Sequence, residues 1–135
     1  GGRSARAVLE GLHVLGAEHI TCVVRPESRL DTATLRCQTV RTYPEVSSTI
    51  LRAATLVVNT TPAGMYPDIE ALPPIPVDGF RAGQWVYDLI YNPAETRLMA
   101  AARHAGAQTR NGLGMLRAQA EAAWQIWQTT PYDLA

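Results

Sequence analysis

The sequence predicts an α/β fold, a parallel sheet with helices on both faces, and three observations carry that prediction. Short apolar runs alternate along the chain with segments of helical periodicity. Two glycines, Gly1 and Gly2, lead directly into the first helical segment. Several apolar runs end on Arg, Asn or Asp, and in open parallel sheets ligands collect outside the carboxyl ends of the strands.

The elements follow in order. Arg3 to Leu15 reads as an amphipathic helix, with Val8, Leu12 and Leu15 on one face and Gly16 as its stop. Ile20 to Val24 is a buried strand that ends on Arg25, with Arg29 four residues further on. Cys37 to Val40 predicts a short strand, Pro44 to Ala53 a helix or turn, and Thr55 to Val58 a strand ending at Asn59. Pro62, Pro67, Pro73, Pro74 and Pro76 exclude regular structure from most of residues 60–80. Gln84 to Leu89 is the next strand, Ala94 to Ala105 a helix stopped at Gly106, and Gln108-Thr109 a brief last strand. The final helix runs from about Gly112 to Trp127, with Leu113, Leu116, Ala120, Ala123 and Trp127 on one face.

At 135 residues the chain predicts one domain, spanning 1–135, large enough to bury roughly two-thirds of its unfolded surface. Twelve basic residues balance twelve acidic ones, which argues against a nucleic-acid or anionic-lipid partner. Every basic residue is Arg, so no lysine base or Schiff base can come from this chain. Cys22 and Cys37 lie in apolar stretches without metal-ligand spacing, which predicts reduced thiols, no metal site and a cytoplasmic setting. No run reaches the 18 or so apolar residues of a membrane span, and the start lacks the order of a signal peptide. His13, His19 and His104 are scattered, and the helical spacing of Trp124 and Trp127 suits core or domain-contact residues. Asp88 could act as an acid on residue type alone, but an aspartate at a strand end serves as often as a structural acceptor.

A glycine turn before a helix, and a strand end about 20 residues later, are the two fixed points of a dinucleotide-binding βαβ unit. A carboxylate at that strand end accepts from the 2′-hydroxyl of NAD, whereas an Arg compensates the 2′-phosphate of NADP. Arg25 therefore predicts an NADP reader on a Rossmann-like sheet.

Five motifs carry a family resemblance. Gly1-Gly2, Val24-Arg25-Pro26-Glu27-Ser28-Arg29, Asn59 to Met65, Tyr87 to Pro93, and Asn111 to Gln119 stand in the order found in the NADP-binding part of the shikimate dehydrogenase family. The chain resembles that family over essentially its whole length. The resemblance implies NADPH-dependent, reversible reduction of 3-dehydroshikimate to shikimate, a step of aromatic amino acid biosynthesis. It further implies that Gly1, Gly2 and Arg3 line the pyrophosphate turn and that Arg25 and Arg29 hold the 2′-phosphate. Thr60, Leu89 and Gly112 would meet the nicotinamide end, while Tyr91 and Gln119 would converge on the substrate. No catalytic residue is expected here, because the family's Lys-Asp pair belongs to an N-terminal substrate domain, the implied partner of this chain. Val24 and Pro26 depart from the usual Asn and Thr, which weakens the predicted cofactor preference.

The resemblance also implies that the first, central strand of the sheet is missing, so that strands 20–24 and 55–58 should lie apart in a split sheet. Alternatives are a quinate or quinate/shikimate dehydrogenase using NAD as well, or a regulatory homologue that binds the nucleotide without turnover. A homodimer stays open on this reading.

Overall fold

The computed structural model describes residues 2–129. Helix α1 (Arg3–Val14) starts at Gly2 and is closed by Gly16, whose φ of 79° is the left-handed conformation that glycine adopts without steric cost. Gly16 N–H donates to His13 O and Ala17 N–H to Leu12 O, which satisfies carbonyls at the helix end. The buried face differs by one position from expectation. Leu9 and Leu12 pack inward, whereas Leu15 lies beyond the last helical turn and is exposed.

Strand β1 (Thr21–Val24) pairs in parallel with β2 (Thr39–Thr42). The second strand begins two residues later than the sequence suggests because a short helix, α2 (Thr32–Leu35), precedes it. Asp31 caps α2 by accepting from Thr34 N–H at 2.7 Å, and Cys37 N–H returns to Thr32 O. Ile20, Leu35 and Cys37 form the buried centre of this half, with Leu9, Leu12, Cys22, Val24 and Val40 against them. Both cysteines are free thiols, and burial, reinforced by Cys37, pushes the Cys22 thiol up to about 12.

The other half is a parallel sheet in the order β3 (Leu56–Asn59), β4 (Trp85–Asp88), β5 (Gln108–Arg110). Helix α3 (Ser48–Ala53) precedes it and α4 (Arg97–His104) connects β4 to β5. Helix α4 starts three residues later than predicted because Thr96, not Pro93, begins it: the Thr96 hydroxyl accepts from Met99 N–H at 3.2 Å. Leu51, Phe80, Val86, Leu98, Ala102 and Ala107 are buried together between this sheet and its helices. The last helix, α5 (Leu113–Thr129), buries none of its residues, and Trp124 and Trp127 are exposed. The core alternative for those tryptophans is thereby overturned. Residues 60–80 are irregular apart from a single 3₁₀ turn at Val77–Gly79.

Among the described residues the strands form two separate parallel ladders, and β1 does not pair with β3. That is the expected split. The strands are parallel throughout, so their carboxyl ends lie on one edge within each ladder.

Gln84 holds the second half together from inside. Fully buried just before β4, it donates to Leu51 O at 2.7 Å and Ala54 O at 2.8 Å, and accepts from Arg81 N–H at 2.9 Å. Replacing Gln84 by Leu leaves these backbone groups without that partner, at about 1–3 kcal/mol for each group left unsatisfied. Denaturant unfolding of Gln84→Leu should show a loss of about 2–4 kcal/mol. An exposed control, Arg117→Gln, should stay within about 0.5 kcal/mol of the native protein.

Candidate functional site

The site begins at the ends of β3 and β4. Asn59, last residue of β3, is buried and donates its side-chain amide to Asp88 Oδ1 at 3.1 Å across the ladder. Its own oxygen accepts from the N–H and the hydroxyl of Thr61, at 3.0 and 2.7 Å, so the strand end dictates the turn of the loop that follows. Asp88 Oδ1 also accepts from Ile90 N–H at 3.1 Å, and Oδ2 from the Thr96 hydroxyl at 2.8 Å. Burial raises the Asp88 carboxyl above the usual aspartate range, opposed by the hydrogen bonds from Thr96, Ile90 and Asn59. All these bonds are internal. Asp88 is therefore the structural acceptor, not an acid facing a substrate.

The two loops are joined again where Tyr66 N–H donates to Asn92 O at 3.0 Å. Between them lies a cleft of about 390 Å³, lined by Thr60, Met65 and Tyr66 on one side and Leu89 and Tyr91 on the other. Ser4, in the first turn of α1, closes its third side. No carboxylate, imidazole or guanidinium is among its lining residues. The cleft can position a ligand by shape and by neutral hydrogen bonds.

The structure brings together three of the predicted site residues, Thr60, Leu89 and Tyr91, in this cleft. Gly112 stands behind it. Its N–H donates to Ile90 O at 3.0 Å, and a Cβ at this position would collide with the Leu89 carbonyl, so only glycine permits this approach of the two backbones. Asn111 fixes the same junction, donating to Ala94 O and accepting from Leu113 N–H. Gln119 is exposed on α5, about 10 Å along the helix from Gly112, and does not line the cleft. The expected convergence of Tyr91 and Gln119 on one pocket is not present.

Gly2 is the N-cap of α1 and Arg3 stands exposed in its first turn, while Gly1 lies outside the described residues. No side chain caps the α1 N-terminus and no acidic residue sits in its first turn, so its amide groups are oriented for an anion such as a pyrophosphate. Arg25 and Arg29 are exposed beyond the end of β1 and do not line the cleft, with Arg25 Nε at 3.4 Å from Glu27. Ser4 and Tyr66 were not foreseen as cleft residues. The Ser4 signal is the first helical turn itself; nothing local in the sequence marks Tyr66.

Among the described residues no group of His, Cys, Asp or Glu could hold a metal ion, and no helix is long and apolar enough to cross a membrane.

Comparison with known proteins adds a separate line of support. No protein-family model matches the chain. It is 52% identical over 77 residues, 57% of its length, to the shikimate dehydrogenase (NADP(+)) of Moorella thermoacetica. To the protein of the same name from Symbiobacterium thermophilum it is 37% identical over 93% of its length. These matches span 26% and 46% of the two relatives, so the chain accounts for less than half of either. Shikimate 5-dehydrogenase from Listeria monocytogenes, solved with shikimate and NAD, superposes with a TM-score of 0.80 at 25% identity, covering 98% of this chain and 50% of that one.

The buried Asp88 makes a pH dependence testable. Its folded value is raised, so the stability it contributes is present below the usual 3.8 and is lost as pH rises through the raised value. The stability of the native protein minus that of Asp88→Asn should therefore decrease from acid toward neutral pH. Paired denaturant titrations measure that difference directly; a difference that grew with pH would contradict the buried placement.

Proposed function

We propose, from its similarity to curated shikimate dehydrogenases, that the chain belongs to that family and is the cofactor-holding part of an enzyme that interconverts 3-dehydroshikimate and shikimate with NADP(H). The observation that carries the proposal is the meeting of Thr60, Leu89 and Tyr91 in one cleft, closed by the first turn of α1. In this reading residues 1–135 are a C-terminal NADP-binding domain, working against an N-terminal substrate domain of the same protein.

The residues present suit a dinucleotide. The first-turn amides of α1, with Gly2 and Arg3, would hold the pyrophosphate. Arg25 and Arg29 would hold the 2′-phosphate as charge-assisted partners. Thr60 and Leu89 would fix the nicotinamide end, with Gly112 letting the backbone of α5 close up behind Leu89. Bound there, the cofactor supplies the hydride. What the chain would contribute is orientation: a cleft whose walls are tied by Tyr66 N–H to Asn92 O can hold two reactants at a fixed approach. Tyr91 would hold the substrate from within the cleft, and Gln119, which does not line it, would reach the substrate from the exposed surface of α5. The family resemblance assigns proton transfer to a Lys-Asp pair of the substrate domain; no carboxylate, imidazole or amine lines the cleft.

The direct test is shikimate-dependent reduction of NADP by the intact protein, followed by nicotinamide absorbance. No turnover with shikimate or quinate would reject the proposal in favour of a nucleotide-binding regulator. For the cofactor, Arg25→Ala should weaken NADPH about tenfold or more and leave NADH nearly unchanged, because a hydrogen bond to a charged group contributes about 1.5–3 kcal/mol. Equal losses for the two would remove Arg25 from the 2′-phosphate. For the substrate, Gln119→Ala should raise the KM for shikimate severalfold and lower kcat while NADPH titrates as in the native protein. A defect confined to NADPH binding would move Gln119 to the cofactor.

A further inference from the structure

The loop after β1 carries both charges that distinguish the two nicotinamide cofactors. Arg25, Pro26, Glu27 and Ser28 form a four-residue turn closed by Ser28 N–H donating to Arg25 O at 2.9 Å. Pro26 occupies the second position, where its fixed φ preorganises the turn. The Ser28 hydroxyl in turn accepts from Leu30 N–H at 3.3 Å, which anchors the far side. The result places the Glu27 carboxylate against Arg25 Nε at 3.4 Å, with the two side chains 79% and 68% exposed. So exposed a pair is weak, and each partner can exchange the other for a ligand.

We propose that Glu27 is a specificity-determining residue: its carboxylate competes with the 2′-phosphate of NADPH for Arg25, and accepts a hydrogen bond from the 2′-hydroxyl of NADH when no phosphate is there. The inference rests on Arg25 being the 2′-phosphate residue, as argued under Proposed function. It follows from chemistry that one turn now combines. An Arg at this strand end selects the phosphate and a carboxylate selects the hydroxyl; here a proline-stiffened turn holds one beside the other. Pro26, which costs the loop a hydroxyl, thereby fixes the position of the carboxylate. The loop becomes a reader of both cofactors with a moderate preference for the phosphorylated one.

The test is isothermal titration of the intact protein with NADPH and with NADH, for the native sequence and for Glu27→Gln. Removing the charge should tighten NADPH about two- to fivefold, the range of an exposed ion pair. NADH should weaken at least about twofold, so that the ratio of the two affinities moves about fourfold or more. Glu18→Gln serves as the control for net charge. Glu18 is exposed just ahead of β1, at the opposite end of that strand, farther than the roughly 8 Å over which salt screens a charge. An unchanged ratio in Glu27→Gln, or the same shift in Glu18→Gln, would overturn the proposal. If Arg25→Ala alone lowers NADPH affinity in the same experiment, the 2′-phosphate reading stands while Glu27 is a bystander. If Arg25→Ala spares the preference for NADPH, both readings fall together.

Discussion

The hydrogen bonds that converge on Asp88 determine the shape of everything at the carboxyl edge of β3 and β4. One side chain takes bonds from the end of the neighbouring strand, from the backbone of its own loop, and from the residue that starts α4. A carboxylate is suited to this because it accepts at two oxygens and donates nothing. Burying it carries a desolvation cost, visible in its raised pKa, which the three donors offset. The return is geometric: the Asn59 loop and the Leu89 loop leave the sheet at fixed angles, and the cleft between them is preformed.

That constraint explains why the chemistry of the cleft can be so plain. Hydrogen bonds that would otherwise compete for a ligand are already spent inside the strand ends, and the cleft receives hydroxyls, apolar surface and the two phenols of Tyr66 and Tyr91. The charged residues are elsewhere, beyond β1, in the half of the molecule with its own small core of Ile20, Leu35 and Cys37. On the proposed reading a dinucleotide would span both, with its reacting end at the neutral, shaped cleft and its adenosine end at the charged, open loop beyond β1.

The sequence disclosed the pattern of elements because apolar runs and helix punctuation are local. Gly16 stops α1 through a positive φ that the sequence position already suggests, and Asn59 and Asp88 stand at strand ends where the apolar runs break off. What stayed hidden depends on single side-chain hydrogen bonds, which apolar periodicity does not register. Thr96 displaces the start of α4 because its hydroxyl bonds both Asp88 and Met99 N–H, and α2 exists because Asp31 caps four residues that carry no apolar period of their own. The site was legible in part for the same reason. Thr60, Leu89 and Tyr91 follow directly from strand ends, whereas Gln119 was joined to them by resemblance and lies two helical turns away from Gly112.

The two ends of the site also differ in how freely they can change. Gly112 cannot accept a side chain without moving either the Leu89 backbone or the start of α5, and any replacement at Asp88 must resatisfy three donors in the interior. At the end of β1, by contrast, Arg25, Glu27 and Arg29 are exposed, and none of the buried contacts passes through their side chains. Substitutions there alter ligand electrostatics at little cost to folding. On the proposed reading, cofactor preference would rest on side chains whose replacement the fold tolerates, and the orientation of the reactants on residues whose replacement it does not.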